Sequence, residues 1–242
     1  MNLKRLLPAL VGILLFFGGI AISLSFSMTL LWGELEARLY TQQSGDKSLK
    51  IECPLVMAPW ETAEIKTIVT NSLTDKSTKP QVNAFISQAE GKETRYVSET
   101  LELAPLESRA MQWTVSSEDI IFERLILVNI LQRRYNKLPS SQGVCSILVY
   151  SLFGLNGVNT LYVVVASGIL VSILGAALSF FWFRPFTGAL KSFSLVSILF
   201  FGLSLFGLFA ALFRLWGLTV VFDAAALLAF SAGSIEILFK RK

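Results

Sequence analysis

Four long apolar stretches flank a polar middle region, and they predict four membrane-spanning helices. Three of them, at residues 6–32, 160–183 and 193–213, contain no charged residue, and the fourth, at 218–239, contains two. A helix needs about 20 apolar residues to cross a hydrocarbon core of about 30 Å. Backbone polar groups in lipid must be paired within their own segment, so a spanning stretch of this kind is expected to be helical.

The region between the first two apolar stretches alternates apolar and polar residues with a period of two. Within 81–87, for example, Val82, Ala84 and Ile86 alternate with polar neighbours, although Phe85 breaks the alternation. The predicted strands lie at 49–57, 61–71, 81–87, 96–104, 109–115, 122–131 and 145–153. About seven short strands separated by turn-forming residues are typical of an antiparallel β-sandwich.

The pattern therefore predicts a membrane protein of three parts. An N-terminal transmembrane anchor at 1–33 leads into a β-sandwich domain at 34–156, and a three-helix transmembrane region follows at 157–242. A cleaved signal peptide is the alternative reading of the first stretch. Its apolar run is longer than the roughly 7–15 residues of a signal core and no clear A-x-A site follows, so we expect a retained anchor.

Lysine and arginine in the short flanks predict the orientation, because cytoplasmic loops carry an excess of these residues. They precede the first span, follow the second and follow the fourth, which places them on one side if all four spans cross. The residues are Lys4, Arg5, Arg184, Lys191 and the last three, 240–242. We expect an integral protein of the cell or plasma membrane with both termini cytoplasmic and residues of about 33–158 extracytoplasmic.

The net charge of +4 is unevenly distributed. Residues 33–158 contain 13 basic and 15 acidic residues, and the rest of the chain contains 8 basic and 2 acidic residues. The basic excess therefore lies beside the apolar stretches, while the acidic middle lacks the basic face that phosphate contacts need. Nucleic acid is not expected as a partner.

The chain contains no histidine, which argues against large classes of chemistry. Histidine is the usual general base near neutral pH and the commonest ligand of zinc and haem iron. The sequence also lacks a P-loop, a G-x-S-x-G elbow and an H-E-x-x-H motif. We therefore expect no catalytic residue, no metal site, no cofactor and no enzymatic activity, and an oxygen-ligand site for calcium or magnesium stays open as the alternative.

Two cysteines lie near the ends of the predicted β domain. Cys53 is in its first strand and Cys145 begins its last. Outside the cytoplasm, cysteines placed in this way most simply form a disulfide, and a pair of buried free thiols is the alternative. Such a bridge closes a loop of about 90 residues, for which the chain-entropy model gives about 4 kcal/mol.

Small residues recur every four positions in three of the apolar stretches. Such faces let helix backbones approach closely, which favours association in lipid. We expect packing within a four-helix bundle, with docking of a partner subunit as the alternative for at least one face. The residues are Gly19, Ser23 and Ser27, then Gly168, Ser172 and Ala176, and finally Ala225, Ala229 and Gly233.

Asp223 is the one acidic residue well inside a predicted span. Ionisable residues inside a membrane are usually paired or functional. Arg214 stands nine residues earlier, at the end of the preceding helix, and the sequence predicts an intramembrane Arg214–Asp223 ion pair that closes the hairpin.

Four segments of the predicted β domain carry a further pattern. They read Ile-Val-Thr-Asn-Ser at 68–72, Val-Asn-Ala-Phe-Ile-Ser at 82–87, Leu-Glu-Leu-Ala-Pro-Leu-Glu-Ser at 101–108 and Trp-Thr-Val at 113–115. The pattern resembles bacterial adhesion-type immunoglobulin-like domains of the CARDB kind, in which an L-x-P-G-E-S turn precedes a strand that bears an aromatic residue. Leu106 stands where that pattern has glycine. The resemblance covers the outer domain alone and implies an immunoglobulin-like sandwich.

These features favour a non-catalytic accessory or scaffold subunit of a membrane complex. Its outer sandwich and its helix faces are expected to bind partner proteins in a lipid bilayer. Two alternatives stay open. One is a transporter or membrane-enzyme component that uses Asp223 or Arg214, and the other is a stand-alone surface adhesin or sensor.

Overall fold

The structure, a computed structural model, describes residues 3–39, 48–88, 93–133, 141–182 and 189–239. Its elements divide between two compact units. The helical unit comprises Met1–Leu31 and Tyr162–Lys242, and the β unit comprises Trp32–Leu161. The helical unit is thus assembled from both ends of the chain and the β unit from its middle.

Four long helices contain the apolar stretches: α1 Leu3–Leu39, α2 Gly157–Trp182, α3 Ala189–Leu212 and α4 Trp216–Phe239. Each is long and apolar enough to cross a membrane. The side chains of Lys4, Arg5, Arg184, Lys191 and 240–242, on which the predicted orientation depends, lie outside the part of the chain that the structure describes.

Helix α1 continues about two turns beyond the predicted end of its apolar stretch. These turns begin at Trp32 and belong to the β unit. Glu34 and Arg38, four residues apart, form an ion pair of 3.2 Å between Arg38 Nε and Glu34 Oε1, a spacing that favours helix. Gly33 is buried against Leu125 and Ser146, where a Cβ would come within 3.2 Å of the Ser146 Cβ.

The β unit contains eight strands among the described residues, and they form two sheets of a β-sandwich-like domain. One sheet has the order β1-β3-β6 and the other has the order β2-β8-β7-β4-β5. The strands are β1 Leu49–Glu52, β2 Val56–Met57, β3 Ala63–Thr70, β4 Gln81–Ile86, β5 Arg95–Thr100, β6 Ser108–Val115, β7 Leu125–Arg133 and β8 Ser141–Val149.

The predicted first strand at 49–57 is divided between the two sheets. β1 pairs antiparallel with β3, and β2 pairs with β8 of the other sheet. Pro54 lies between them, and its missing N–H interrupts a strand ladder, so the chain changes sheet there. The β2–β8 pairing is parallel, which corrects the expectation of a purely antiparallel sandwich.

Alternating side chains fill the space between the two sheets. In β4, Val82, Ala84 and Ile86 are completely buried in this core. Phe85 interrupts that alternation in the sequence because it lies on the opposite, outer face of the five-stranded sheet, where its ring packs 5.1 Å from Tyr96.

Aromatic rings from three helices meet in the core of the helical unit. Phe17 of α1, Phe200 of α3 and Phe230 of α4 have ring centroids between 5.1 and 6.3 Å apart. Ring pairs at this separation add to the stabilisation from burial.

Candidate functional site

The outer face of the five-stranded sheet carries the main candidate site, a cleft of about 330 Å³. The last turn of α1 forms one wall, and β4, β7 and the segments that precede β5 and β7 form the others. Its lining residues are Ala37, Phe85, Ser87, Thr94, Ile121, Leu127, Val128 and Asn129. A largely apolar wall with a few polar groups is typical of a binding pocket.

Polar groups at this cleft are held in place by hydrogen bonds. The Ser87 hydroxyl donates to the Asp119 carbonyl at 2.7 Å and accepts the Leu127 N–H at 2.9 Å. The Asn129 side-chain oxygen accepts the Gln142 amide at 2.8 Å. These bonds hold the Ser87 hydroxyl and the Asn129 side-chain oxygen in fixed positions at the cleft.

A partly exposed aromatic pair lies beside the cleft. Tyr96 is 53% exposed, packs on Phe85 and donates its hydroxyl to the Asn83 side-chain oxygen at 3.1 Å. A tyrosine whose ring is packed and whose hydroxyl is oriented loses little freedom when a partner covers it, which is typical of interface anchors.

Strand β5 forms the edge of this sheet next to the aromatic pair. The Leu101 N–H donates to the Pro80 carbonyl of the neighbouring segment, and the register pairs Gln81 with Thr100. Because N–H groups alternate in direction along an antiparallel strand, those of Tyr96 and Ser98 point away from β4. An edge of this kind can pair with an added strand.

The predicted disulfide is confirmed. Cys53, between β1 and β2, is bonded to Cys145 of β8, 92 residues later. The bond fixes the segment that changes sheet to the last strand of the domain.

Asp223 lies in the interior of the helical unit, where its side chain is completely buried. The Ser27 hydroxyl of α1 donates to Asp223 Oδ2 at 2.8 Å. Oδ1 has no hydrogen-bond partner among the described residues and lies against Gly207 of α3, where a Cβ would overlap it. Arg214 lies in the turn between α3 and α4 with a φ of 57°, and its predicted ion pair with Asp223 stays a prediction.

Two of the small-residue faces bring α1 and α2 into close contact. A Cβ on Gly19 would overlap the backbone of Ser172, and a Cβ on Gly168 would lie 2.5 Å from the Ser23 hydroxyl oxygen. The Ser172 hydroxyl also lies 3.4 Å from the Phe16 carbonyl of α1. Larger side chains at these glycines would force the two backbones apart.

The remaining small residues that the four-residue spacing predicted as helix-packing positions differ in burial. Ala176 is exposed, and the buried residue at this level of α2 is Gly175. Gly233 is buried against α3, while Ala225 and Ala229 are half-buried. One α4 residue that the spacing missed, Ala226, is completely buried.

The adjacent acids Glu118 and Asp119 lie in a short 3-10 turn that Asp119 helps to stabilise. Asp119 caps a short 3-10 turn, accepts the Ser116 N–H at 2.9 Å and lies 3.4 Å from Arg95. Glu118 is exposed beside it. Among the described residues, no group of three or more histidine, cysteine or acidic side chains could hold a metal ion.

Two contacts at the candidate sites could not be predicted from the sequence pattern. The outward position of Phe85 was signalled by the break in alternation, but its pairing with Tyr96 depends on strand register. The Ser27–Asp223 contact joins residues 196 positions apart, and nothing in the local sequence indicates it.

No protein-family model and no curated protein matches the chain. Similar solved structures include a Paenibacillus sp. cycloisomaltooligosaccharide glucanotransferase, at 19% identity and a TM-score of 0.34, covering 43% of this chain and 14% of that one. The CARDB domain of a Pyrococcus furiosus protein, in complex with di-metal ions, has 17% identity and a TM-score of 0.33, covering 46% and 99%. A superoxide reductase from Ignicoccus hospitalis has 12% identity and a TM-score of 0.32, covering 43% and 80%. These likenesses amount to a loose β-sandwich resemblance.

Proposed function

We propose that the protein is a non-catalytic integral membrane subunit that binds a partner protein through the outer face of its five-stranded sheet. The observation that supports this best is the cleft beside the last turn of α1, next to the aromatic pair and the edge strand β5. A packed aromatic anchor beside a strand that lies at the sheet edge among the described residues is suited to an extended segment of a partner protein.

The proposed layout places the β unit outside the cytoplasm. It is supported by four helices of spanning length, by the basic flanks in the sequence and by the cysteine pair. The domain is proposed to be immunoglobulin-like, because its first, third and sixth strands share one sheet and its fourth, seventh and eighth share the other, as in A-B-E and C-F-G.

The first experiment places a photo-crosslinking amino acid at Tyr96 in the full-length chain in its native membrane. A crosslinked product of one defined mass, absent when the crosslinker replaces Leu106, supports the proposal. Leu106 is a matched control because it is 63% exposed and lies in a turn far from the cleft. Crosslinking at neither position, with recovery of the lone chain in several mild detergents, contradicts it.

The second experiment measures the affinity for the crosslinked partner. Tyr96→Ala is expected to weaken binding at least about tenfold, because truncation of an interface anchor costs roughly 1–2 kcal/mol or more. Leu106→Ala is expected to leave the affinity unchanged. Equal affinities for the two variants would exclude the outer face of this sheet as the binding surface.

A second candidate function rests on Asp223, which is completely buried and has one carboxylate oxygen without a hydrogen-bond partner among the described residues. Such a group inside a span is the usual sign of an ion pathway or an intramembrane reaction. In that case Asp223→Asn abolishes a measured flux or activity while the protein still assembles. A variant with normal flux or activity removes this candidate.

A further inference from the structure

One end of the β unit is rich in exposed aromatic residues. Among the described residues between 48 and 156, six large apolar side chains are exposed, and four of them lie in the loops at this end. The four are Trp60, Phe122, Tyr150 and Phe153, and the other two are Tyr96, beside the cleft, and Leu106, in the turn before β6. A group of exposed aromatic residues at one end of a domain is a candidate interaction site.

Two of these residues have an unfavourable backbone conformation. Phe122 has a φ of 48° and Phe153 has a φ of 52°, in the left-handed region that bulky residues rarely adopt. Phe153 is also 91% exposed, so packing within the β unit does not account for its position. An exposed aromatic residue held in a strained turn motivates the hypothesis that it contacts something outside the domain.

A hydrogen bond joins the Trp60 loop to the first residue of α2, and further bonds join the segments at this end of the β unit to one another. The Glu61 carboxylate, next to Trp60, accepts both the Ala58 N–H at 2.6 Å and the Gly157 N–H at 2.8 Å. The Tyr150 N–H donates to the Met57 carbonyl at 2.9 Å. A fourth bond links the turn after Phe122 to β8, from the Val149 N–H to the Arg124 carbonyl at 2.8 Å.

The start of α2 at this end of the β unit indicates which surroundings the exposed aromatic side chains meet. Gly157 begins the apolar helix of spanning length and is buried against the backbone of β2. The loop of Trp60 and Glu61, which is bonded to Gly157, therefore lies close to the point where that helix begins, and the other aromatic loops lie at the same end of the β unit. Aromatic side chains are enriched at the membrane interface, where an apolar ring meets the acyl boundary and the backbone stays among the headgroups.

We propose that Trp60, Phe122 and Phe153 form a lipid-contacting rim that rests the β unit on the headgroup layer of the membrane. The rim fixes the height of the domain, and so of the cleft, above the lipid. This inference rests on the membrane layout given under Proposed function, and it adds a lipid contact outside the spanning helices.

The test uses the full-length protein in phosphatidylcholine nanodiscs, with one introduced cysteine and a nitroxide label per variant. The native cysteines are bonded to each other and do not compete for the label. The variants are Trp60→Cys, Phe122→Cys and Phe153→Cys, with Leu106→Cys as the control. Leu106 is close to Trp60 in exposure, at 63% against 62%, and to Phe122 and Phe153 in backbone, with a φ of 60° against 48° and 52°.

Collisions of the label with oxygen, which concentrates in lipid, are compared with collisions with a water-soluble nickel chelate. The oxygen-to-nickel ratio is expected to be higher at all three rim positions than at Leu106. A ratio at the rim equal to that at Leu106 overturns the inference. Protection of the rim from both reagents also overturns it, because that result means contact with protein.

A further label at Leu170, midway along α2 and 58% exposed, distinguishes failure of the inference from failure of the layout. If Leu170 reports lipid while the rim reports water, the rim is wrong and the layout stands. If Leu170 itself reports water, both are wrong. The native Trp60 gives a reading without a label. Its contribution, taken as the difference in fluorescence between the wild type and Trp60→Phe, should be quenched by brominated phosphatidylcholine, and a difference that is not quenched contradicts the rim.

Discussion

At Leu106 the backbone has a φ of 60°, and the side chain is 63% exposed. The sequence pattern that this segment resembles has glycine at this place, and the backbone conformation of Leu106 accounts for that preference. Glycine adopts the left-handed region without the steric cost that a Cβ brings. Leucine at this position therefore introduces local backbone strain. Hydrogen bonds hold the turn in this conformation, such as the one from the Leu106 N–H to the Leu73 carbonyl at 3.1 Å.

Leu106→Gly is expected to stabilise the β unit by about 0.5–1 kcal/mol, because relief of the left-handed strain exceeds the added freedom of the unfolded chain. Thermal unfolding of the full-length protein in nanodiscs measures the change. Ala104→Gly, two residues earlier and without a positive φ, is the control and is expected to destabilise. A lower melting temperature for Leu106→Gly would show that the turn is not strained.

Glu107 makes the stability of the same turn depend on pH. The Ala104 N–H, which donates to Glu107 Oε2 at 2.7 Å, and the Arg109 guanidinium, 2.9 Å from Oε1, lower the pKa of this carboxyl below its usual value. A lowered folded-state pKa contributes stability that is present above the unfolded pKa of about 4.3 and is lost as the pH falls through the folded value.

Glu107→Gln is therefore expected to be less stable than the wild type at pH 7, with the difference shrinking as the pH falls below about 4.3. Melting temperatures of both proteins at pH 7 and at pH 3 test this. The opposite trend, with a larger difference in acid, would mean that the carboxylate does not stabilise the turn.

At the scale of elements, strand existence was predictable but sheet membership was not. The segment 49–57 alternates like one strand, yet its two halves join different sheets as β1 and β2. The alternation shows which side chains are buried between the two sheets. It does not show to which sheet a strand belongs, because strands of both sheets bury alternate side chains in the same core. Pro54 was the visible signal of a break, and the partner of each half depends on residues about 15 to 90 positions away.

The disulfide acts between elements, since it joins the β1–β2 segment to β8. The double variant Cys53→Ala/Cys145→Ala is expected to lose about 2–5 kcal/mol of stability, because the open loop of 92 residues regains freedom when unfolded. Thermal unfolding of the variant gives the loss, and the wild type under reducing conditions should approach it. An unchanged melting temperature would mean that packing alone holds this segment.

At the scale of the whole molecule, the proposed layout predicts which lysines a membrane-impermeant amine reagent reaches in intact cells. Lys76, exposed in the turn between β3 and β4, should be labelled from outside. Lys240 and Lys242 should be labelled only after the membrane is permeabilised, because the basic flanks are expected in the cytoplasm. Peptide mass spectrometry distinguishes the sites, and labelling of the tail in intact cells would reverse the layout.

The sequence by itself determined the division into apolar helices and a polar β region, and it indicated the cysteine pair. The helices and the β region follow from the sequence within short windows, since an apolar run of spanning length and a period of two are local properties. Tertiary structure alone decided the sheet order, the cleft beside α1, the Ser27–Asp223 contact and the grouping of Trp60, Phe122 and Phe153 at one end. Each of these joins residues far apart in the chain, and the free energy that selects such contacts comes from packing between elements, which no local pattern encodes.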